Sequence, residues 1–197
     1  MAPVPGRTLR CPPKVDSSFA IGSMLRLQVP RVRMAHRAMF KRDSQNRVLV
    51  DINQLVREVL VLVQGERFKR GISLDTELTK NLPQVMADRV QLQQVVMNLV
   101  TNAMDAMEPI VDRQKLLRVE SAIKDGDTVV VAIGDSGTGI DADKVDRLFD
   151  TFFTTKPNGM GMGLSICRSI IESHKGRLGV SGGAQCGSVF RFELPTK

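Results

Sequence analysis

The chain has no tryptophan and no tyrosine among its 197 residues, and only two histidines. Eight phenylalanines are its whole aromatic complement, so stacking on nucleic-acid bases is poorly supplied. No stretch approaches the roughly 18 apolar residues of a membrane-spanning helix. The N-terminus lacks the continuous apolar core of a signal peptide, because Pro3, Pro5, Arg7 and Arg10 interrupt it. Cys11, Cys167 and Cys186 are odd in number, far apart and in no metal-site spacing. That argues against a disulfide framework and predicts a reducing, cytoplasmic setting. No internal repeat or low-complexity tract is present.

Against these absences stands a net charge of +7, which invites a nucleic-acid or membrane partner until it is located. Residues 1–47 hold ten Lys/Arg against Asp16 and Asp43, a charge of +8, and residues 48–197 hold 18 against 19, a charge of −1. The basic character belongs to the N-terminal segment, and nucleic acid is not expected as a partner of the rest. Pro3, Pro5, Pro12, Pro13 and Pro30 exclude a long helix from residues 1–33, which read as a mostly unstructured tail. Residues 34–43 can form a short helix, residues 44–47 a linker, and residues 48–197 one well-buried domain.

Within that domain Asp51 can cap a helix over about 52–68, with Ile52, Leu55, Val56, Val59, Leu60 and Val63 inward and Gly71 ending it. Strands are predicted over 72–78, 84–87, 116–123 and 128–134, the last two joined by a turn at 124–127. The strand at 128–134 is apolar throughout and should be central. A polar loop with a Phe cluster fills 141–158 and a helix about 163–173, with Leu164, Ile166, Cys167, Ile170 and Ile171 inward. A hairpin of 177–181 with 188–194 closes the sequence. The sum is an α/β sandwich around one mixed sheet.

Four blocks carry the chemistry. The first is a helix over 88–107, stopped by Pro109, whose apolar stripe is Leu92, Val95, Val96, Leu99, Ala103, Ala106 and Met107. A neighbouring stripe holds Gln91, Gln94, Asn98, Asn102 and Asp105, groups that coordinate a hard metal ion or hold a water. On the helix alone, a solvated surface fits equally well. The second is Asp135-Ser-Gly-Thr-Gly-Ile140, a strand-end carboxylate able to accept from an exocyclic amine, with glycines that admit a flat ligand. A tight turn is the plainer reading of that block. The third is Phe149-Asp-Thr-Phe-Phe-Thr-Thr-Lys156, which suits a closing lid or a satellite apolar cluster, with Lys156 able to reach a phosphate. The fourth is Gly159-Met-Gly-Met-Gly-Leu164, a glycine-rich helix start suited to an anion. It follows a loop and lacks Gly-Lys-Ser/Thr, so it is neither a dinucleotide fingerprint nor a Walker loop.

Taken in order, these blocks resemble the N, G1, F and G2 boxes of the ATP-binding catalytic domain of sensor histidine kinases, in the GHKL (Bergerat-fold) superfamily. The resemblance covers residues 48–197. It implies a two-layer α/β sandwich with a mixed sheet and helices on one face, binding ATP and Mg2+ between the N-box helix and a flexible lid. It makes Asn102 the Mg2+ ligand, Asp135 the adenine contact and Gly159, Gly161, Met162, Gly163 and Leu164 the phosphate cradle. Asn98, Asp105, Gly137, Gly139, Ile140, Phe149, Thr155 and Lys156 complete the implied ATP site, with Asn98 and Lys156 in the catalytic role. Hydrolysing relatives carry Glu where this sequence has Asn98, and an amide cannot act as general base, which favours phosphoryl transfer over hydrolysis.

A histidine kinase also needs an acceptor histidine. His36 has no acidic neighbour and no following proline, and Arg37–Asp43 resembles instead the tail of a second dimerisation helix. The expectation is therefore a catalytic domain, monomeric by itself, that phosphorylates a histidine of a two-component system on another chain or missing here. Its partners would be a histidine-containing dimerisation domain and a response regulator. The alternative is a nucleotide-binding regulatory module without kinase activity. A serine kinase of the anti-sigma type shares the fold, and Phe152-Phe-Thr-Thr-Lys156 leans away from it. Thr151, where the family often has Pro, leaves the lid geometry open.

Overall fold

A computed structural model describes residues 46–154, 161–183 and 187–196. The elements run β1 (Val48–Val50), α1 (Ile52–Leu62), α2 (Gln64–Lys69), β2 (Ile72–Leu78), β3 (Val85–Ala87), α3 (Arg89–Ala106), β4 (Lys115–Lys124), β5 (Thr128–Asp135), a 3-10 helix (Ala142–Arg147), α4 (Gly163–Ser173), β6 (Arg177–Gly182) and β7 (Ser188–Pro195).

Five strands form a mixed sheet in the order β2-β4-β5-β7-β6, parallel at β2–β4 and antiparallel elsewhere. β5 is central, as its unbroken apolar run predicts. The register sets Leu117, Val119 and Ser121 beside Asp135, Ile133 and Val131, with Phe190, Phe192 and Leu194 continuing the same face. Against that face pack α1, α3 and α4, so the structure is the expected two-layer sandwich with helices on one side. The reverse face pairs Asp75, Arg118 and Glu120, and Lys124 with Glu193.

Some sequence expectations change. The helix expected over 52–68 breaks at Val63, and α2 buries nothing. The apolar period ends at Val63 and is followed by Gln64-Gly65-Glu66, which offers no side chain to the core, so the axis is free to turn. Ile166 is 36% exposed and not inward, because Cys167, Ile170 and Ile171 already fill the helix's contact with the core. β3 pairs only with β1, in a separate two-stranded ribbon. A three-residue β1 has too little alternation to be visible in sequence. The loop over 141–158 opens with a six-residue 3-10 helix, and α3 ends at Ala106, three residues before Pro109.

A buried polar pair interrupts the apolar layer between α1 and the sheet. Ser121 Oγ donates to Asn53 Oδ1 at 2.8 Å, and Asn53 Nδ2 donates to the Thr79 carbonyl at 2.8 Å, which ties α1 to the sheet. Asn53 and Ser121 are both buried. Asn53→Leu is expected to cost about 1–3 kcal/mol in urea unfolding, since it strands the buried Ser121 hydroxyl as donor and removes the bond to the Thr79 carbonyl.

Candidate nucleotide-binding site

Three elements converge on one cleft of about 540 Å³. α3 contributes Gln94, Asn98, Asn102 and Asp105, β5 contributes Asp135, and the start of α4 contributes Gly163, Leu164 and Ile166. The α3 residues reach it together because i, i+4 spacing stacks side chains on one helix face. The opposite face of α3, from Leu92 to Met107, is buried against sheet and helices, which fixes the amide stripe outward. Asp88 starts the helix by accepting from the Val90 and Gln91 N–H groups.

At the cleft's inner end lies the Asp135 carboxylate, only 7% exposed. Oδ1 accepts from the Gly137 N–H at 2.8 Å and Oδ2 from the Ser188 hydroxyl at 2.8 Å. No cation pairs with it among the described residues. Burial pushes its carboxyl above the usual aspartate range, with the Ser188 and Gly137 hydrogen bonds opposing. A buried carboxylate with spare acceptor capacity and no counter-ion suits a neutral donor such as an amine on a flat heterocycle.

The turn after Asp135 is held from two sides. Thr138 N–H donates to the Ala106 carbonyl at 3.2 Å, so the end of α3 and the turn are joined. Arg113 donates to the Ser136 carbonyl at 3.2 Å and to the Gly137 carbonyl at 2.8 Å. A Cβ on Gly137 would stand 2.5 Å from the Ala106 oxygen, so this close approach requires glycine.

Across the cleft, α4 begins at Gly163 with Met162 as its cap residue, no side-chain cap bond and no acidic residue in the first turn. Its first N–H groups and the positive end of its dipole therefore suit an anion. Mid-helix, Asn98 Nδ2 donates to Cys167 Sγ at 3.7 Å. Burial pushes the Cys167 thiol up to about 11, so it is un-ionised and packs as a small apolar group. Below α4, Phe152 N–H donates to the Gly161 carbonyl at 2.9 Å, joining the two flanks of residues 155–160. Phe152 holds φ 71, an uncommon conformation for a bulky residue, with its side chain 74% exposed.

The model of the histidine kinase-, DNA gyrase B- and HSP90-like ATPase family matches residues 87–197, more than half of the chain. The chain belongs to this family. Among ATPase-family proteins, sensor protein FixL of Bradyrhizobium diazoefficiens is 36% identical over 183 residues, covering 93% of this chain and 36% of FixL. The nucleotide-free catalytic domain of histidine kinase ThkA matches with TM-score 0.68 and 35% identity, over 76% of this chain and 95% of that one. ThkA in complex with response regulator protein TrrA matches with TM-score 0.66 and 33% identity, over 77% of this chain and 42% of that one. The chain spans about a third of the length of the curated sensor kinases it matches.

Of the residues singled out from sequence, this ATPase-family cleft brings together Asn98, Asn102, Asp105, Asp135, Gly139, Ile140, Gly161, Met162, Gly163 and Leu164. Asp105 Oδ1 also accepts from Arg70 at 2.8 Å, so it ties α2 to the end of α3 as well as lining the cleft. Gly137 shapes the turn without lining the cleft, and Phe149 packs on the core under Arg168. Thr155, Lys156 and Gly159 lie outside the described residues, as do His36, Cys11 and Cys186. Sequence reading missed Ser188, which faces Asp135 from β7, and Leu148 and Phe190 on the walls, while Thr138, Phe153 and Thr154 fall inside its second and third blocks without a role of their own. For Ser188 a signal existed, since Gly187-Ser188 directly precedes the alternating Phe190, Phe192 and Leu194.

Proposed function

We propose that residues 48–197 bind Mg-ATP in this cleft and transfer its γ-phosphoryl group to a histidine carried outside this folded unit. The supporting observation is the buried, cation-free Asp135 carboxylate at one end of a cleft whose other end is the uncapped start of α4. The first accepts from the exocyclic amine of adenine, and the second receives phosphate oxygens on backbone N–H groups. Bound Mg2+ and ATP supply the transferable phosphoryl group and neutralise its charge, as phosphoryl transfer generally requires. Among the described residues no three His, Cys, Asp or Glu side chains cluster as a metal cage. A magnesium ion would thus take Asn102 as its protein ligand and complete its shell with phosphate and water, the usual Mg2+ arrangement. Asn98, held by Cys167, orients groups beside the phosphates without removing a proton from water, so the γ-phosphoryl is kept for an acceptor. Lys156 serves as a further phosphate contact.

On this reading residues 34–43 are the remnant of a dimerisation helix preceding the folded unit. The acceptor histidine belongs to a dimerisation domain, and the phosphoryl group passes on to a response regulator, in keeping with the ThkA–TrrA complex. Among the described residues no helix is long and apolar enough to cross a membrane.

Calorimetry with Mg-ATP tests the binding. Asn102→Ala is expected to weaken it about 10-fold or more, and to have little effect when EDTA replaces magnesium, because one metal ligand is lost. Equal affinity of wild type and variant in magnesium would remove Asn102 from the metal site. Labelled ATP incubated with the chain and a dimerisation domain added in trans should give acid-labile label. Binding without label would assign the regulatory role, and acid-stable label a serine kinase.

A further inference from the structure

α3 and α4 meet a second time, at the ends remote from the cleft. The far end of α3 is Asp88, and the far end of α4 is Ser173 and His174. Asp88 N–H donates to His174 Nε2 at 2.9 Å. His174 Nδ1 lies 2.8 Å from the Ile170 carbonyl, which only accepts, so the ring is the neutral tautomer with its proton on Nδ1. His174 is 4% exposed and serves as a cross-strut, not a surface group.

The incoming chain arrives at the same place. β1 and β3 pair Val48 with Ala87, which leaves Arg47 and Asp88 as the next residues on the two strands. Arg47 Nη2 donates to the Ser173 carbonyl at 2.8 Å, while its Nε is buried without a hydrogen-bond partner. A guanidinium so placed is favoured by the carbonyl end of α4. The entry of the domain, the start of α3 and the end of α4 thus share one joint. From it the two helices run antiparallel to the cleft, touching midway at Asn98 and Cys167.

We propose that Arg47 and His174 are positioning residues of the nucleotide cleft, which set the spacing of α3 and α4 from their far ends. The inference deepens the nucleotide-binding reading and rests on it. Neither residue lines the cleft. They act through α4, whose first turn presents Gly163 and Leu164 about 16 Å from the joint, at 1.5 Å per residue.

The test uses the full chain with Arg47→Ala, His174→Leu and His174→Gln, measuring amide exchange without nucleotide, Mg-ATP affinity and melting temperature. Arg47→Ala and His174→Leu should speed exchange across Ile166–Ile170, the first hydrogen-bonded amides of α4, and weaken Mg-ATP binding by about three- to tenfold. His174→Gln, whose amide oxygen can stand in for Nε2 toward the Asp88 N–H, should restore both. Unchanged exchange at Ile166–Ile170 in a folded variant overturns the proposal. So does uniformly faster exchange with a lower melting temperature that glutamine fails to rescue, the mark of a structural role alone. If His174→Leu does not fold, half-buried Arg47 carries the test. A wild type that binds no nucleotide sinks the binding reading, and the exchange measurement still decides the joint.

Discussion

Asp135→Asn is expected to keep the melting temperature or raise it by about 2–4 °C, while weakening Mg-ATP binding about 100-fold or more. The Gly137 N–H is a fixed donor, so the amide oxygen must take the Oδ1 position. The amide nitrogen then takes the Oδ2 position, where the Ser188 hydroxyl can turn to accept from it. The Gly137 and Ser188 hydroxyl bonds survive, the Ser188 N–H that also donates to the carboxylate can be kept only by the amide oxygen, and a buried charge without a counter-ion is gone. What is lost is the acceptor proposed for the adenine amine, which would now meet an N–H. The carboxyl is raised by burial, so its ionisation costs stability in the folded protein. That cost is full above the raised value, shrinks as pH falls through it and vanishes below the ordinary aspartate value of about 3.9. The stability advantage of the variant should follow the same course. Differential scanning at two or three pH values, with calorimetry at neutral pH, reads both effects. A variant that binds as the wild type does would displace Asp135 from the adenine contact.

The second large effect is expected at Gly187. Its φ is 87°, and a Cβ there would lie 1.9 Å from the Asp135 carbonyl oxygen, a backbone atom that cannot step aside. Gly187→Ala must part β5 from β7 where Ser188 supports Asp135. A loss of about 3 kcal/mol or more in urea unfolding is expected, with nucleotide binding lost in whatever remains folded. Gly179→Ala is the control: a Cβ there meets nothing within 4 Å, and its stability should stay within about 0.5 kcal/mol. Equal stabilities for the two variants would show that the strand junction tolerates a side chain.

Much of this was legible in the sequence because the signals were periodic. α3 announced itself by an apolar stripe, a capping Asp88 and an amide stripe beside it, and all three were found in place. β5 showed its central position by carrying apolar residues on both faces. The unreadable parts depend on contacts distant in sequence. Arg70 meets Asp105 across 35 positions with no local trace of the pairing, and Ser188 meets Asp135 across 53, marked locally only by the Gly187-Ser188 step before an alternating strand. The break at Val63 was hidden for another reason: helical residues continue past it despite Gly65, and the missing apolar contacts after Val63 let the chain turn.

Strand order also dictates how the protein must come together. β6 has one neighbour, β7, which follows it in the chain and lies between it and β5. Until β7 inserts, β6 is an unpaired edge open to wrong partners, and β5 lacks one of its two neighbours. β2 and β4 pair in parallel only after the chain has crossed by way of α3, another long loop to close. Such non-local pairing makes folding slow compared with a helical bundle. Because Ser188 arrives with β7, the carboxylate of Asp135 is supported only in the closing step. Nucleotide affinity should therefore emerge last during refolding, and ATP, binding only the finished sheet, would draw the folding equilibrium toward it by mass action.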